Sequence, residues 1–284
     1  MQPSAALLLS FDETITAVDR DGLVALLSDF DLISIHEDDP VYPLRWTAHF
    51  GDPQARDRAA EAIGHLATSG HIQIERTEIE DEDWARRTQA DLPAIQIGNV
   101  IIAPPWDVPR SDRLRPGVTL VVIEPSRGFG TGHHQSTRLC IVLLQNRDLR
   151  GRTMVDVGTG SGVLAITGAK LGAVYVSAID ADPDAIENAR ENVARNQVDS
   201  IVEAHIRDVS DATLAPADVV TANLTGSLLQ RHAPRLMALV KPGGALIVAG
   251  FTVDERDRVV EAFGPSKAVV EAAEEDGWLG LVLV

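Results

Sequence analysis

Residues 156–162 read Asp-Val-Gly-Thr-Gly-Ser-Gly, after the apolar run Thr153-Met154-Val155 and before Val163-Leu164-Ala165-Ile166. A short strand, a glycine turn and a helix start make a place where a ligand can approach the backbone closely, because glycine has no Cβ. Main-chain N–H groups at such a helix start also favour an anion. The spacing separates candidate ligands. A dinucleotide fingerprint needs a glycine three residues after its second; that position is Val163, and the third glycine is Gly162. This weakens a nicotinamide dehydrogenase. The next acid of interest is Asp180, which ends the β-rich run Val174–Ile179. A carboxylate about 20 positions beyond the glycines accepts the hydroxyls of a nucleoside ribose. Its competing role, capping the following helix, is better filled by Asp182-Pro183, an N-cap acid with proline at the first helical position. Asp180 is therefore assigned to ribose.

Two further groups can act near a reacting atom. Asn223 closes the apolar run Ala217–Ala222, at the strand end where open α/β sheets place their ligands. Its amide both donates and accepts, which suits it to orient an amine; the competing reading is a turn asparagine before Gly226. The stretch Gly128-Phe129-Gly130-Thr131-Gly132-His133-His134 puts three glycines around one aromatic. It reads as backbone closing over a ligand, with the Phe129 ring able to face a cation and Thr131 and Thr137 offering hydroxyls. The adjacent histidines do not share a face and have no companion ligand cluster, so no metal site is assigned and a polar helix start is expected there.

These residues need elements to hold them. Of 284 residues, 45% are hydrophobic, enough for one large or two modest cores and too many for disorder. Beyond about Arg115, strand-like and helix-like stretches alternate: 120–123, 135–145, 153–157, 162–171, 174–180, 183–196 and 201–206. That is the pattern of a mostly parallel sheet covered by helices. On 182–196, Ile186, Ala189 and Val193 fall on one helical face. The first 79 residues read differently: a strand at 5–11, a helix at 19–30 with Leu23, Leu26 and Leu27 on one face, strands at 31–36 and 41–50 around Asp38–Pro40, an alanine-rich helix at 59–66, and an alternating strand at 71–79. The order βαββαβ is ferredoxin-like. Between the two lies a linker, 80–115, with the acidic run Glu80–Asp83 and an extended stretch at 95–106 that its prolines keep from being helical.

The chain has 42 acidic and 25 basic residues, a net charge of −17. Such a surface repels phosphate, so direct binding to nucleic acid is not expected, while a basic protein is attracted; solubility alone is the competing explanation. Cys140 is the one cysteine and sits in an apolar helical run, so neither an internal disulfide nor a thiolate zinc site is expected. No basic leader precedes the first apolar run, and no run reaches membrane-span length. A soluble cytoplasmic protein is expected, with no membrane association and an open oligomeric state.

The chain resembles the ribosomal protein L-eleven (L11) methyltransferases, the PrmA family. The likeness rests on Glu82-Asp83-Trp84, Ile97-Gly98, Pro105-Trp106, Glu124-Pro125, Phe129 to Thr137, Asp156 to Gly162, Ile179 to Pro183, Ala222-Asn223-Leu224, Lys241 to Gly244 and Asp276-Gly277-Trp278. It covers about 80–284. It implies a Rossmann-like class I methyltransferase domain with a mostly parallel seven-stranded sheet over 116–284, and a ferredoxin-like domain that recognises the ribosomal protein of the large subunit. The cofactor implied is S-adenosyl-L-methionine. Thr137, Gly158, Asp180 and Asn223 are its expected contacts, with Thr131 and Gly160 beside them; Asp208, after the third strand, is either near the adenine or a turn residue. Asn223 and Phe129 are the expected positioning residues at the methyl, without a general base. The acceptors implied are lysine ε-amines and the α-amine. Asn-Leu-Thr-Gly lacks the Pro-Pro-aromatic that follows asparagine in many adenine and glutamine N-methyltransferases, which disfavours those substrates. The sequence departs from the family pattern at Thr88 and at Ser126-Arg127. Alternatives left open are another protein lysine, such as one on an electron-transfer flavoprotein subunit, a small amine, or a cofactor-binding module without catalysis.

Overall fold

In the computed structural model, the described residues are 4–11, 23, 26, 27, 30, 32–37, 44–67, 72–79, 92–110, 115–125, 132–211, 214–264 and 268–284. The chain divides into two compact units, Met1–Ala90 and Asp91–Val284.

The first unit holds strands β1 (Ser4–Phe11), β2 (Leu32–Glu37) and β3 (Arg45–Phe50), helix α1 (Pro53–Ala67) and strand β4 (Ile72–Ile79). The sheet order is β2-β3-β1-β4, with every pairing antiparallel. Residues 23, 26 and 27 are helical and lie between β1 and β2, which completes βαββαβ. The alternation of β1 buries Leu7, Leu9 and Phe11, and β3 sets Ala48 and Trp46 opposite the first two. Leu23 and Leu27, with Ala55, Ala59 and Ile63 of α1, close this core. Helix α1 begins six residues before the expected 59, because the Asp52 carboxylate accepts the Ala55 N–H at 2.7 Å and Pro53 occupies the first turn. The turn expected at 38–40 and the linker's acidic run lie outside the described residues.

The second unit is α/β. Its main sheet is built from β8 (Thr153–Val157), β9 (Tyr175–Asp180), β10 (Val202–Ile206), β11 (Ala217–Asn223), β12 (Val240–Thr252), β13 (Val269–Glu275) and β14 (Trp278–Leu283). The order is β10-β9-β8-β11-β12-β14-β13. The first five are parallel; β14 enters antiparallel to β12, and β13 pairs antiparallel with β14. Both faces are covered, so the strands are apolar almost throughout. On one face Met154, Val176 and Ile247 pack with α2 (Gln135–Gln145), α3 (Val163–Lys170) and α4 (Pro183–Arg195). On the other, Val155, Val157 and Val248 pack with α5 (Gly226–Ala238) and α6 (Arg256–Ala262). Cys140 is buried in α2, as its apolar run led one to expect.

A three-stranded sheet precedes this core: β5 (Ile95–Ile97), β6 (Val100–Ala103) and β7 (Thr119–Val122). The sequence reading gave 80–115 to a linker. The fold instead takes 95–103 into the second unit, since Ile97, Val100 and Ile102 are buried in the first of its two cores. Chain connections run from β8 through α3 and α4 to β9 and β10 on one side, then return to β11 on the other. Strand order reverses between β8 and β11, and that point opens a crevice beyond their C-terminal ends. Among the described residues no helix is long and apolar enough to cross a membrane.

Candidate functional site

The glycine turn leaves β8 at this crevice. Gly158, Gly160 and Gly162 have φ of +69°, +53° and +82°. At Gly158 space as well as conformation demands glycine: a Cβ there would lie 2.5 Å from Leu224 Cδ2, beyond the end of β11. The sequence reading aimed the turn's N–H groups at an anion, and the fold engages most of them internally. Gly158 and Thr159 both donate to the Ile179 carbonyl at 2.9 and 3.0 Å, because the β8–β9 ladder continues one step into the turn. Gly160 donates to Asp180 Oδ2 at 3.0 Å, and Gly162 donates to the Thr159 carbonyl at 2.9 Å. The turn's main-chain donors are therefore largely spent on the fold rather than left open.

Asp180 is half-buried at the end of β9. Its oxygens accept Gly160 N–H and, at 3.1 Å, Asp182 N–H. It is thus tied to the turn rather than standing clear, while each carboxylate oxygen keeps a second lone pair for a hydroxyl. Asp182 caps α4, accepting Asp184 N–H at 2.9 Å, with Pro183 at the first helical position as the dipeptide predicts.

Asn223 lies across the crevice, half-buried at the end of β11. Its amide donates to Thr137 Oγ1 at 3.2 Å, so two of the expected contacts meet. Thr137 is buried in the first turn of α2. Gly250, at φ +94°, passes beside them: a Cβ there would collide with the Leu224 carbonyl and sit 2.9 Å from Asn223 Oδ1. Helix α2 starts at His134, whose Nδ1 accepts Ser136 N–H at 3.2 Å and meets Ser136 Oγ at 2.7 Å. Trp278 stacks edge-on against this ring at 4.5 Å. Burial, then the Arg138 guanidinium, hold the His134 pKa below the usual imidazole value. The His133 ring meets the Pro93 carbonyl at 2.9 Å. The pair is a helix start, as expected. Arg138 forks onto Glu275 and also donates to the His133 carbonyl, which ties α2 to the β13–β14 hairpin.

The remaining assignments fare differently. Asp208 is exposed, and it accepts Ser210 N–H at 2.8 Å and the Ser210 hydroxyl in a tight turn, which fills the turn role. Phe129 and Thr131 lie outside the described residues.

Two features were not read from the sequence. Asp156 is 1% exposed on β8, where Oδ2 accepts the Thr159 hydroxyl and Oδ1 the Thr221 hydroxyl, each at 2.6 Å. Desolvation raises its pKa to about 6 against the lowering effect of these bonds. The acid of the motif is scaffolding that pins the turn to β11. The second feature is a run of buried asparagines, Asn188 and Asn192 on α4 and Asn196 at its C-cap, whose spacing of four was the available signal.

Residues 18–284 match the family model described as ribosomal protein L11 methyltransferase (PrmA). The chain is similar to the protein named ribosomal protein L11 methyltransferase from Edwardsiella ictaluri, at 36% identity over 221 residues, covering 77% of this chain and 73% of that one. It is 33% identical over 260 residues to the protein of that name from Vibrio cholerae serotype O1, covering 90% and 81%. Among solved structures it is similar to a ribosomal protein L11 methylase from Lactobacillus delbrueckii subsp. bulgaricus, with TM-score 0.63 and 25% identity, covering 68% of this chain and 98% of that one.

Proposed function

Because the chain belongs to the ribosomal protein L11 methyltransferase (PrmA) family, we propose that it moves the methyl group of S-adenosyl-L-methionine to lysine ε-amines and/or the α-amine of ribosomal protein L11, in the cytoplasm. The observation that carries the site assignment is the convergence of three features on one crevice: the glycine turn after β8, the Asp180 carboxylate after β9, and the Asn223–Thr137 pair after β11. Gly158 and Gly160 supply a surface without side chains, Asp180 supplies acceptors for a sugar, and Asn223 supplies an amide at the far wall. These residues fit the group by their chemistry: the Asp180 carboxylate can accept ribose hydroxyls and the Asn223 amide can donate and accept. When bound, S-adenosyl-L-methionine supplies a methyl activated by a sulfonium charge.

The chain's own residues have two tasks. A lysine near pKa 10.4 must lose its proton before it can attack. A partly dry, apolar pocket lowers that pKa by disfavouring the ammonium form. The larger task is alignment, worth up to about 7–11 kcal/mol where it is well made. We assign it to Asn223; the pairing of β11 between β8 and β12 and the amide's bond to Thr137 support that reading. Phe129 is assigned to the cationic side of the methyl donor, Thr131, Thr137, Gly158 and Gly160 to its contacts, Asp208 is left to its turn, and no general base is assigned.

We assign recognition of the large-subunit protein to the ferredoxin-like domain, 1–79, and catalysis to the second unit, Asp91–Val284. The net charge of −17 favours a basic protein partner over nucleic acid or an anionic membrane. The test is methyl transfer from labelled S-adenosyl-L-methionine to purified L11, with Asn223→Ala beside the wild type. The variant is expected to lose about 100-fold in turnover while its affinity for S-adenosylhomocysteine changes little. Equal loss of both removes the positioning role. No label in L11 from a wild-type chain that binds the cofactor removes the substrate.

A further inference from the structure

Buried amides are costly unless partnered, and the asparagines of α4 and its C-cap are 7%, 0% and 7% exposed at 188, 192 and 196. Asn196 grips strand β7. Its Oδ1 accepts Val122 N–H at 2.9 Å, and its Nδ2 donates to the Val122 carbonyl at 2.6 Å and the Asn192 carbonyl at 2.8 Å. Asn192 does something else. Its Oδ1 accepts the N–H of Glu124, just past β7, at 2.9 Å and the Arg195 guanidinium at 2.7 Å. Its Nδ2 donates to the carbonyl of Ser161, inside the glycine turn, at 3.0 Å, with longer approaches to Asn188 Oδ1 at 3.3 Å and the Glu124 carbonyl at 3.4 Å.

The glycine turn needs such a holder. Three glycines in seven residues leave it conformational freedom that its contacts must remove. On one side its N–H groups are held by Ile179 and Asp180. Ser161 O is held from the opposite side, by the amide of Asn192. We propose that Asn192 is a positioning residue for the methyl donor: by joining the Ser161 carbonyl to the Glu124 N–H through one buried amide, it fixes the glycine turn in the shape that binds S-adenosyl-L-methionine. This rests on the reading that the turn binds that cofactor.

Asn192→Asp and Asn196→Asp separate this role from helix packing. A carboxylate at 192 still accepts from Glu124 and Arg195 but has no proton for Ser161 O, so it sets two acceptors face to face. A carboxylate at 196 still accepts from Val122 N–H and loses the bond to Val122 O, the same chemical change made away from the turn. Both variants lose thermal stability. Calorimetric titration of the full chain with S-adenosylhomocysteine is expected to show about tenfold weaker binding for Asn192→Asp and less than about twofold for Asn196→Asp. Equal weakening in both, or none in Asn192→Asp, overturns the proposal. A wild-type chain that fails to bind overturns the cofactor reading beneath it, and so is distinguishable. Wild-type protein gives a second arm that does not depend on variant folding: S-adenosylhomocysteine is expected to slow amide exchange at Glu124 but not at Val122. Identical response at both positions overturns the coupling.

Discussion

Replacing Asp156 by asparagine isolates the buried acid of the motif. Asp156 is 1% exposed and its carboxyl pKa is raised from 3.8 to about 6, first by desolvation. A raised native pKa means that the folded chain holds this proton more tightly than the unfolded chain does. The resulting stabilisation is fully present below pH 3.8 and is lost as pH rises through about 6. At 1.36 kcal/mol per tenfold in affinity, the difference is about 3 kcal/mol. Asparagine stays neutral throughout. Its oxygen can accept one threonine hydroxyl and its amide can donate to the other once that hydroxyl turns. Whatever fixed cost the substitution carries, the stability of Asp156→Asn relative to wild type should therefore rise by about 2 kcal/mol between pH 4 and pH 7.5, the rest of the difference being lost already below pH 4. Amide exchange of the β8 and β11 core, corrected for intrinsic rates, reads the opening of this unit alone. Parallel pH profiles for the two proteins would show that the hydroxyl bonds of Thr159 and Thr221, not desolvation, control the proton, and the argument would fail.

Other outcomes follow from single contacts. Gly158→Ala should abolish measurable cofactor binding by calorimetry, and adding Leu224→Ala should restore part of it, because the Cβ meets only the tip of the Leu224 side chain but keeps its φ of +69°. Gly250→Ala should cut methyl transfer by about 100-fold, since the new Cβ collides with the Leu224 carbonyl and crowds Asn223; unchanged turnover would show that Asn223 can move without consequence. His134→Ala removes the cap of α2 and should cost about 1 kcal/mol in denaturant unfolding. The His134 pKa is lowered, so the stabilisation is present above 6.5 and is lost as pH falls through the depressed value; the alanine variant should lack that acid-side loss. Asp218→Asn, at the opposite end of the sheet, breaks the Asp218–Lys241–Thr153 cluster and should lower thermal stability while leaving S-adenosylhomocysteine affinity unchanged.

The fold was legible wherever one local signal had one tertiary meaning. Alternation on β4, the 3.6-residue face of Ile186, Ala189 and Val193, and the Asp182-Pro183 start of α4 each led to the element observed. The same start signal stands at Asp52-Pro53, yet the helix there was expected only from 59, because arginine, aspartate and glutamine interrupt its apolar face while costing an exposed helix little. The sheet of β5, β6 and β7 was harder to see. Its strands are three and four residues long, prolines surround them, and their burial depends on α2 and α4 arriving from later in the chain. The site divides in the same way. Glycine spacing, Asp180 and Asn223 can be read locally, whereas the holders of the turn come from partners far along the chain. The Asp156–Thr221 bond spans 65 residues and the Asn192–Ser161 bond 31; nothing near Thr221 marks it, and the spacing of the asparagines around Asn192 does not say what they bond.

The two acids of the crevice show why a motif acid and a ligand acid should not be equated. Asp156 is sealed, both oxygens taken by threonine hydroxyls, and its ionisation is opposed by burial and by the charge of Asp180. Asp180 is half-buried and bonded to two backbone N–H groups, which hold it without enclosing it. A ligand hydroxyl can reach the second and not the first. Loss of Asp180 should therefore appear in affinity for the nucleoside, and loss of Asp156 in the shape and stability of the turn. Asp180→Asn keeps an acceptor but turns one oxygen into a donor, and it should weaken S-adenosylhomocysteine binding by about tenfold or more at every pH where the chain is folded. Asp156→Asn should weaken binding least at the pH where Asp156 is itself protonated in the wild type, since there the two side chains carry the same charge. A pH-independent loss for both would mean that the two carboxylates act on the ligand alike, and the division of labour drawn from their burial would be wrong.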